Sequence, residues 1–235
     1  LTYRTSHIAK SGAVYDQELE NGGLGEFFSQ REREILISLL NRNVIPKQGR
    51  YLDFACGSGR VLSVLSPYFN EVFAVDISSA MAEQAREKVP SAQYHIVDIT
   101  EEALDIGRVD LISAFRFFGN AEDDLRIKVL RRLRSMISEN GYLVFNNHRN
   151  PDSTLSICSG DRKGMDLSVA KLRLLVEENG FRIDAIYPIG VWIWRHRWCE
   201  KRVWSSFPGK VMEKLSANSA LSKFAADMVV VARPA

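Results

Sequence analysis

Tyr51-Leu52-Asp53-Phe54-Ala55-Cys56-Gly57-Ser58-Gly59-Arg60-Val61-Leu62 carries the reading of the fold. Tyr51 to Ala55 has the composition of a strand, Cys56 to Gly59 is a glycine-rich turn, and Arg60 to Leu65 resumes with helical spacing. In a strand, turn, helix unit the first helical N–H groups have no partner inside the helix, and glycine lets a ligand come close to them. A polar or anionic group is expected at this turn. The dinucleotide pattern G-x-G-x-x-G fails, because Leu62 stands where the third glycine is needed for close helix packing. The phosphate loop of nucleoside triphosphatases fails too, since no Lys-Ser or Lys-Thr pair follows the glycines.

Outward from this unit the pattern alternates. Strands are expected at Glu71 to Val75, Gln93 to Val97, Val109 to Phe115 and Tyr142 to Asn146, with helices at Ser79 to Lys88 and Asp123 to Ser138. Such alternation implies a mostly parallel sheet with helices on both faces. Upstream, Phe27, Phe28, Ile35, Leu36, Leu39 and Leu40 recur among charges in Tyr15 to Arg42, as in an amphipathic helix whose beginning Gly22, Gly23 and Gly25 interrupt. Downstream, a helix from Ser168 to Asn179 ends at a C-cap glycine, Gly180, and strands follow at Phe181 to Tyr187 and Asp227 to Ala232. Residues 189–226 hold Trp192, Trp194, Trp198 and Trp204 among basic residues and read as an insertion on one domain spanning 1–235, with 1–45 as a helical cap.

The chain has 235 residues, 46% hydrophobic and 26% charged, enough for one sizeable core and too few for two full domains. No window approaches the roughly 18 uninterrupted apolar residues of a membrane span. Leu1 to Arg4 lacks the apolar segment of a secretory signal, the missing initiator Met suggests a start upstream, and Cys56, Cys158 and Cys199 form no CxxC pair. A cytoplasmic, disulfide-free protein is expected. A net charge of +2 makes no case for nucleic acid, and no metal-ligand spacing stands out.

Asp53 followed by Ala55-Cys56-Gly57-Ser58-Gly59 resembles the first motif of class I S-adenosylmethionine-dependent methyltransferases, an acidic residue, a spacer and G-x-G-x-G, with Ala55 in place of the first glycine. Further family marks follow in order, Asp76 closing Val72 to Asp76 and Asp98 closing Ile96 to Ile99. The resemblance implies a Rossmann-like, doubly wound, three-layer α/β/α fold, with a mostly parallel seven-stranded sheet and an antiparallel last strand. It also implies S-adenosyl-L-methionine as cofactor and S-adenosyl-L-homocysteine as product. A carboxylate after the second strand can accept both ribose hydroxyls, and one after the third can accept from the adenine amino group. By the same resemblance Gly57 and Gly59 lie against the amino-acid portion of the cofactor, Asp53 lies near its amino group, and Tyr15 closes over it. Ile77, Ile99 and Phe115 complete the expected cofactor site.

Ligands of open α/β sheets bind beyond the carboxyl ends of the strands, so Phe115 to Asn120 and Asn146 to Asn150 are the acceptor-side stretches. Both resemble a bacterial branch of the family, through Arg116-Phe117-Phe118-Gly119-Asn120-Ala121-Glu122 and Asn146-Asn147-His148, which implies modification of a small molecule or sugar. His148, with an ordinary pKa of about 6.5, is the candidate general base for a hydroxyl, and Arg116 and Asn147 are candidates to orient the acceptor. Amine methylation is the alternative, because an unprotonated amine needs no strong base. A non-catalytic cofactor-binding partner protein is the rival from another class. For the Trp-rich insertion a lid, a homodimer surface, a membrane-surface contact and ordinary packing stay open. Its basic residues would suit an acidic acceptor.

Overall fold

The computed structural model describes residues 24–160, 164–191 and 220–235, together with Val211 and Leu215. Its centre is a seven-stranded sheet of β1 (Arg50–Phe54), β2 (Glu71–Asp76), β3 (Gln93–Ile96), β4 (Val109–Ala114), β5 (Ile137–Asn146), β6 (Phe181–Ile189) and β7 (Asp227–Pro234), in the order β3-β2-β1-β4-β5-β7-β6. β1 to β5 pair in parallel, and β7 runs antiparallel to both β5 and β6. The α-helices among the described residues include α1 (Leu24–Asn41), α2 (Arg60–Leu65), α3 (Ser79–Lys88), α4 (Asp123–Met136), α5 (Thr154–Ser159) and α6 (Val169–Glu177).

The period-two alternation of strand side chains divides the sheet's apolar residues between two cores. Leu52, Phe54, Phe73, Val75, Leu143, Phe145 and Val230 face one side, where Val129, Leu130 and Leu133 of α4 and Leu172 and Val176 of α6 cover them. Tyr51, Val72, Ala74, Val144, Val229 and Val231 face the other, under Leu36, Leu39 and Leu40 of α1, Val61, Leu62 and Leu65 of α2, and Ala85 of α3. The chain therefore folds as three layers, and strands buried on both faces read as the near-continuous apolar runs typical of a parallel sheet. No helix among the described residues is long and apolar enough to cross a membrane.

Serine caps set the starts of three helices. Ser78, Ser153 and Ser168 each accept a backbone N–H three residues on, from Met81, Ser156 and Lys171. Several boundaries differ from the sequence reading. α1 contains Gly25, which the sequence reading took as an interruption. α4 stops at Met136, and β-branched Ile137 pairs at once with Val109, starting β5 five residues earlier than Tyr142. The irregular register there is kept at Gly141, where a Cβ would sit 2.6 Å from Ile137 Cγ1. β6 and β7 each run two residues longer than expected, because they pair along their whole length from Phe181↔Pro234 to Ile189↔Asp227.

Candidate active site

β1 and β4 are neighbours at the centre of the sheet, and the chain proceeds from them in opposite directions, to β2 and β3 on one side and to β5 on the other. A crevice opens where the order reverses, beyond the strands' carboxyl ends. Asp53, Ala55, Gly57, Asp76, Ile77, Asp98, Ile99, Phe115 and Arg116 all line it. Nine of the thirteen residues singled out in the sequence are thereby brought together. Tyr15 lies outside the described residues, as does most of the Trp-rich insertion.

Backbone conformation explains the composition of the turn. Ala55, Gly57 and Gly59 all have positive φ, at 53°, 54° and 81°. For Ala55 the left-handed region costs roughly 1–2 kcal/mol, which is why the resembling motif has glycine at that place. The two glycines serve different ends. A Cβ on Gly57 would meet nothing within 4 Å, so this position borders the open cleft, whereas a Cβ on Gly59 would sit 2.9 Å from Ala85 Cα and Cβ. Gly59 does not line the cleft. It lets α3 pack tightly behind the turn, the task a third glycine performs in dinucleotide sites.

The three strand-end carboxylates are each held differently. Asp76, at the end of β2, accepts the Gly57 N–H at 2.8 Å on Oδ2 and the Ser78 N–H at 2.9 Å on Oδ1, which aims it across the turn. Asp98 accepts from the Thr100 N–H at 2.9 Å and hydroxyl at 2.7 Å on Oδ1. Asp53 is buried at 2% exposure, accepts from Ser113 Oγ on Oδ1, and its Oδ2 has no hydrogen-bond partner. Ser113 in turn contacts the buried Tyr51 hydroxyl at 2.7 Å. Burial pushes the Asp53 carboxyl up to about 7, assisted by the negative charge of Asp76 and opposed by the Ser113 bond and the Arg60 charge. Burial beside Asp53 and Asp76 also pushes the Cys56 thiol well up, so it packs as a neutral group.

The acceptor-side stretches are built around buried asparagines. Asn146 Oδ1 accepts the Arg116 N–H at 2.6 Å and holds Arg116 at φ 60°, while Asn120 Nδ2 donates to the Arg116 carbonyl at 2.6 Å. Asn147 is fully buried, donates to the Leu167 carbonyl at 2.6 Å and accepts from the Arg149 N–H at 3.3 Å. Its amide bonds to backbone groups, and it is not among the residues lining the cleft. His148 is half-buried, and its ring stacks where a Cβ on Gly119 would sit 3.0 Å from Cε1 and Nδ1. It too is not among the residues lining the cleft.

Two residues absent from the sequence reading, Glu32 on α1 and Asp227 at the start of β7, meet beside Arg116 with no exposure at all. Asn146 Nδ2 donates to both, at 2.7 Å to Glu32 Oε1 and 3.2 Å to Asp227 Oδ2. Glu32 pairs with Arg60 at 2.7 Å and with Arg116 at 3.5 Å, and Arg116 lies 3.8 Å from Asp227. Burial pushes the Glu32 carboxyl up, but the charges of Arg60 and Arg116 and hydrogen bonds from Asp227 and Arg60 outweigh it and hold it below its ordinary range. Burial and the Glu32 charge push Asp227 well above its own, against Arg116. One proton shared between two adjacent buried carboxyls is the expected state. The sequence does carry a signal for both: Glu32 falls between Phe28 and Leu36 on the buried stripe of α1, and Asp227 directly precedes the apolar run Met228 to Ala232.

Residues 27–186 match the sequence family described as "Methyltransferase domain". Among curated proteins the chain is 32% identical over 117 residues to dTDP-4-amino-2,3,4,6-tetradeoxy-D-glucose N,N-dimethyltransferase of Saccharopolyspora spinosa, covering 48% of this chain and 46% of that protein. It is 36% identical over 78 residues to trans-aconitate 2-methyltransferase of Variovorax paradoxus, covering 32% and 30%. The chain thus spans less than half the length of either relative. In fold it is similar to magnesium protoporphyrin IX methyltransferase from Synechocystis PCC 6803 with bound S-adenosylhomocysteine, at a TM-score of 0.63 and 13% identity over 98% of this chain and 97% of that one. With more than half of its length matched by the family, the chain belongs to the methyltransferase domain family.

Proposed function

We propose that the protein transfers a methyl group from S-adenosylmethionine to a hydroxyl of a small molecule or sugar. The observation that carries the reading is the cleft at the β1/β4 switch point, where three strand-end carboxylates surround an open, glycine-walled turn. The residues present fit the cofactor: space at Gly57 admits its amino-acid portion, the buried Asp53 Oδ2 lacks a partner that an ammonium would supply, and Asp76 and Asp98 offer acceptors for ribose and adenine. When bound, it supplies an activated methyl group on a sulfonium.

The chain's own residues then bind, orient and exclude water. Displacement at an activated methyl needs an in-line nucleophile more than it needs chemical assistance, so alignment supplies most of the rate. Phe115 and Phe117 wall the acceptor side with apolar surface, and Arg116 between them supplies a fixed charge. A hydroxyl must also lose a proton. His148, on the loop that follows β5, is the group proposed to take it.

Titration with S-adenosylhomocysteine and with NAD tests the cofactor assignment. The sulfur ligand is expected to bind and NAD to show no heat. Because a cationic amino group binds ionised Asp53, and that carboxyl is protonated below about pH 7, affinity should rise about tenfold between pH 6 and pH 8 and then level off. Asp53→Asn should flatten that profile. Absence of binding at any pH overturns the reading.

Amine methylation is the second reading, favoured by the dimethylated amine in the name of the Saccharopolyspora relative and by the absence of His148 from the cleft lining. His148→Ala separates the two. For a hydroxyl acceptor turnover should fall about 100-fold with cofactor affinity unchanged. Turnover within threefold of native removes His148 as base and leaves the amine.

A further inference from the structure

Tyr51, Ser113 and Asp53 form a polar chain in a layer that is otherwise apolar. In the parallel pair of β1 and β4, Asp53 stands directly opposite Ser113, and Tyr51, two residues before Asp53, projects from the same face of the sheet. Leu62 and Leu65 of α2, Leu111 and Val144 belong to that layer, and the Phe69 ring lies 5.1 Å from the Tyr51 ring. Tyr51 and Ser113 have no exposure, and Asp53 keeps 2%. Of the three, Asp53 alone lines the cleft.

We propose that Tyr51 and Ser113 are positioning residues of the cofactor half of the cleft, a two-hydroxyl chain that holds the Asp53 carboxylate from behind and keeps its second oxygen for the cationic amino group of the cofactor. The proposal deepens the methyltransferase reading and rests on it.

The direction of the chain follows from its protons. A serine hydroxyl has one to give. Ser113 donates it to Asp53 Oδ1, so in the 2.7 Å contact between Ser113 Oγ and the Tyr51 hydroxyl the donor is Tyr51. Burial and the Asp53 charge push the Tyr51 hydroxyl well above its ordinary range, so it keeps its proton. Run the other way, from a proton on Asp53 Oδ1 through Ser113, the chain would leave the Tyr51 proton with no acceptor among the described residues. The chain therefore ends on Oδ1 as an acceptor. A proton on Asp53 is directed to Oδ2, the oxygen that lacks a hydrogen-bond partner. Protonation and the binding of an ammonium group then compete for one atom.

Burial by itself favours a neutral Asp53. Against it stand, in order of strength, the Ser113 bond, the positive charge of Arg60 at the start of α2 and the Leu62 N–H, while the negative charge of Asp76 at the end of β2 adds to burial. The balance falls at about 7. Around it, Asp98 beyond β3 and Arg116 beyond β4 line the same cleft, Cys56 is a neutral thiol, and Glu32 on α1 holds Arg60 at 2.7 Å. Because the Ser113 bond is the strongest of the opposing groups, the chain decides whether Asp53 is charged near neutral pH. The fold itself does not require it, since apolar side chains of the same shape can replace a satisfied buried pair at little cost.

The test is calorimetric titration, from pH 5.5 to pH 8.5, of S-adenosylhomocysteine and of 5′-methylthioadenosine, which keeps the adenosine and sulfur but lacks the amino acid. The proteins are the native chain, Ser113→Ala, Ser113→Thr, Tyr51→Phe and the double variant Tyr51→Phe/Ser113→Ala. Native affinity for S-adenosylhomocysteine should rise with a midpoint near pH 7. In Ser113→Ala a hydrogen bond to the charged form is lost, so the midpoint should move up by about one pH unit and affinity at pH 7 should fall about fivefold. Tyr51→Phe should move it the same way by less. The double variant should move it no further than Ser113→Ala, because Tyr51 acts through Ser113. Ser113→Thr keeps the hydroxyl and should keep the native midpoint. Affinity for 5′-methylthioadenosine should stay within twofold of native in every variant. An unchanged midpoint in Ser113→Ala overturns the proposal, and so does an equal loss of affinity for both ligands, which would mean a general loosening of the cleft. A native profile that is flat across this range overturns it as well. If Ser113→Ala fails to fold by circular dichroism, Tyr51→Phe decides, by shifting the midpoint or leaving it where it was. Failure of native protein to bind S-adenosylhomocysteine refutes the methyltransferase reading itself, a result distinct from binding whose pH profile is indifferent to Ser113.

Discussion

Replacing Asp76 by Ala is expected to weaken S-adenosylhomocysteine binding by about 100-fold, as measured by calorimetry at pH 8, where Asp53 is ionised. The carboxylate sits at the end of β2 with each oxygen already accepting one backbone N–H, from Gly57 and from Ser78. A carboxylate oxygen has a second acceptor site, so a ribose with two adjacent hydroxyls can add one bond to each oxygen. Hydrogen bonds to a charged acceptor contribute about 1.5–3 kcal/mol apiece, and the loss of two exceeds the roughly 2.7 kcal/mol that corresponds to 100-fold. Ala also leaves the Gly57 and Ser78 N–H groups without their acceptor and loosens the turn. Asp76→Asn keeps the shape and one acceptor oxygen but turns donors toward one of those N–H groups, so it should fall between native and Ala. A melting temperature lowered by only a few degrees would show that the binding loss is local. Affinity within threefold of native in the Ala variant would falsify the ribose role.

Much of this site is legible in the sequence because its parts are local. Asp53, Gly57 and Asp76 stand in or next to strands whose apolar runs announce them, and parallel order follows from the alternation of strand and helix. Where reading stopped at residue type, tertiary context decided the outcome. Gly59 looks like its neighbour Gly57, yet only packing against Ala85 tells the one from the other. Asn147 sits beside His148 on the expected acceptor loop, but the position of the Leu167 carbonyl determines where its amide goes. Ile137 and Ser138 read as the end of a helix, and they join β5 because Val109 is available to pair with Ile137. Glu32 and Asp227 lie 195 positions apart in the sequence and meet only through α1 packing across the end of β7. Each is visible alone as a carboxylate in an apolar pattern. Their shared proton is a property of the pair.

That pair sets the largest stability effect expected for this chain. Glu32→Ala should destabilise the fold by about 3 kcal/mol at pH 7, because it removes the ionised partner of two largely buried guanidiniums and one hydrogen bond of Asn146. For a chain of this size that is a fall of roughly 6–12 °C in melting temperature. The sign with pH follows from the lowered Glu32 carboxyl: its stabilisation is complete above its unfolded value of 4.5 and is lost as pH falls through its lower folded value. The gap between native and Glu32→Ala should therefore close in acid. Asp227 behaves oppositely. Its raised folded value means that the neutral carboxyl is the form the fold accepts, so its contribution diminishes as pH rises above its unfolded value of 3.8. Asp227→Asn, an isostere of that neutral form, should cost less than about 1 kcal/mol at pH 7. In Glu32→Ala the repulsion on Asp227 is gone, so Asp227 can ionise and partly neutralise Arg116. The double variant cannot make that adjustment. Urea unfolding of Glu32→Ala/Asp227→Asn should accordingly show a loss at least about 1 kcal/mol larger than the sum of the single variants. Strict additivity would mean that the two carboxyls titrate independently.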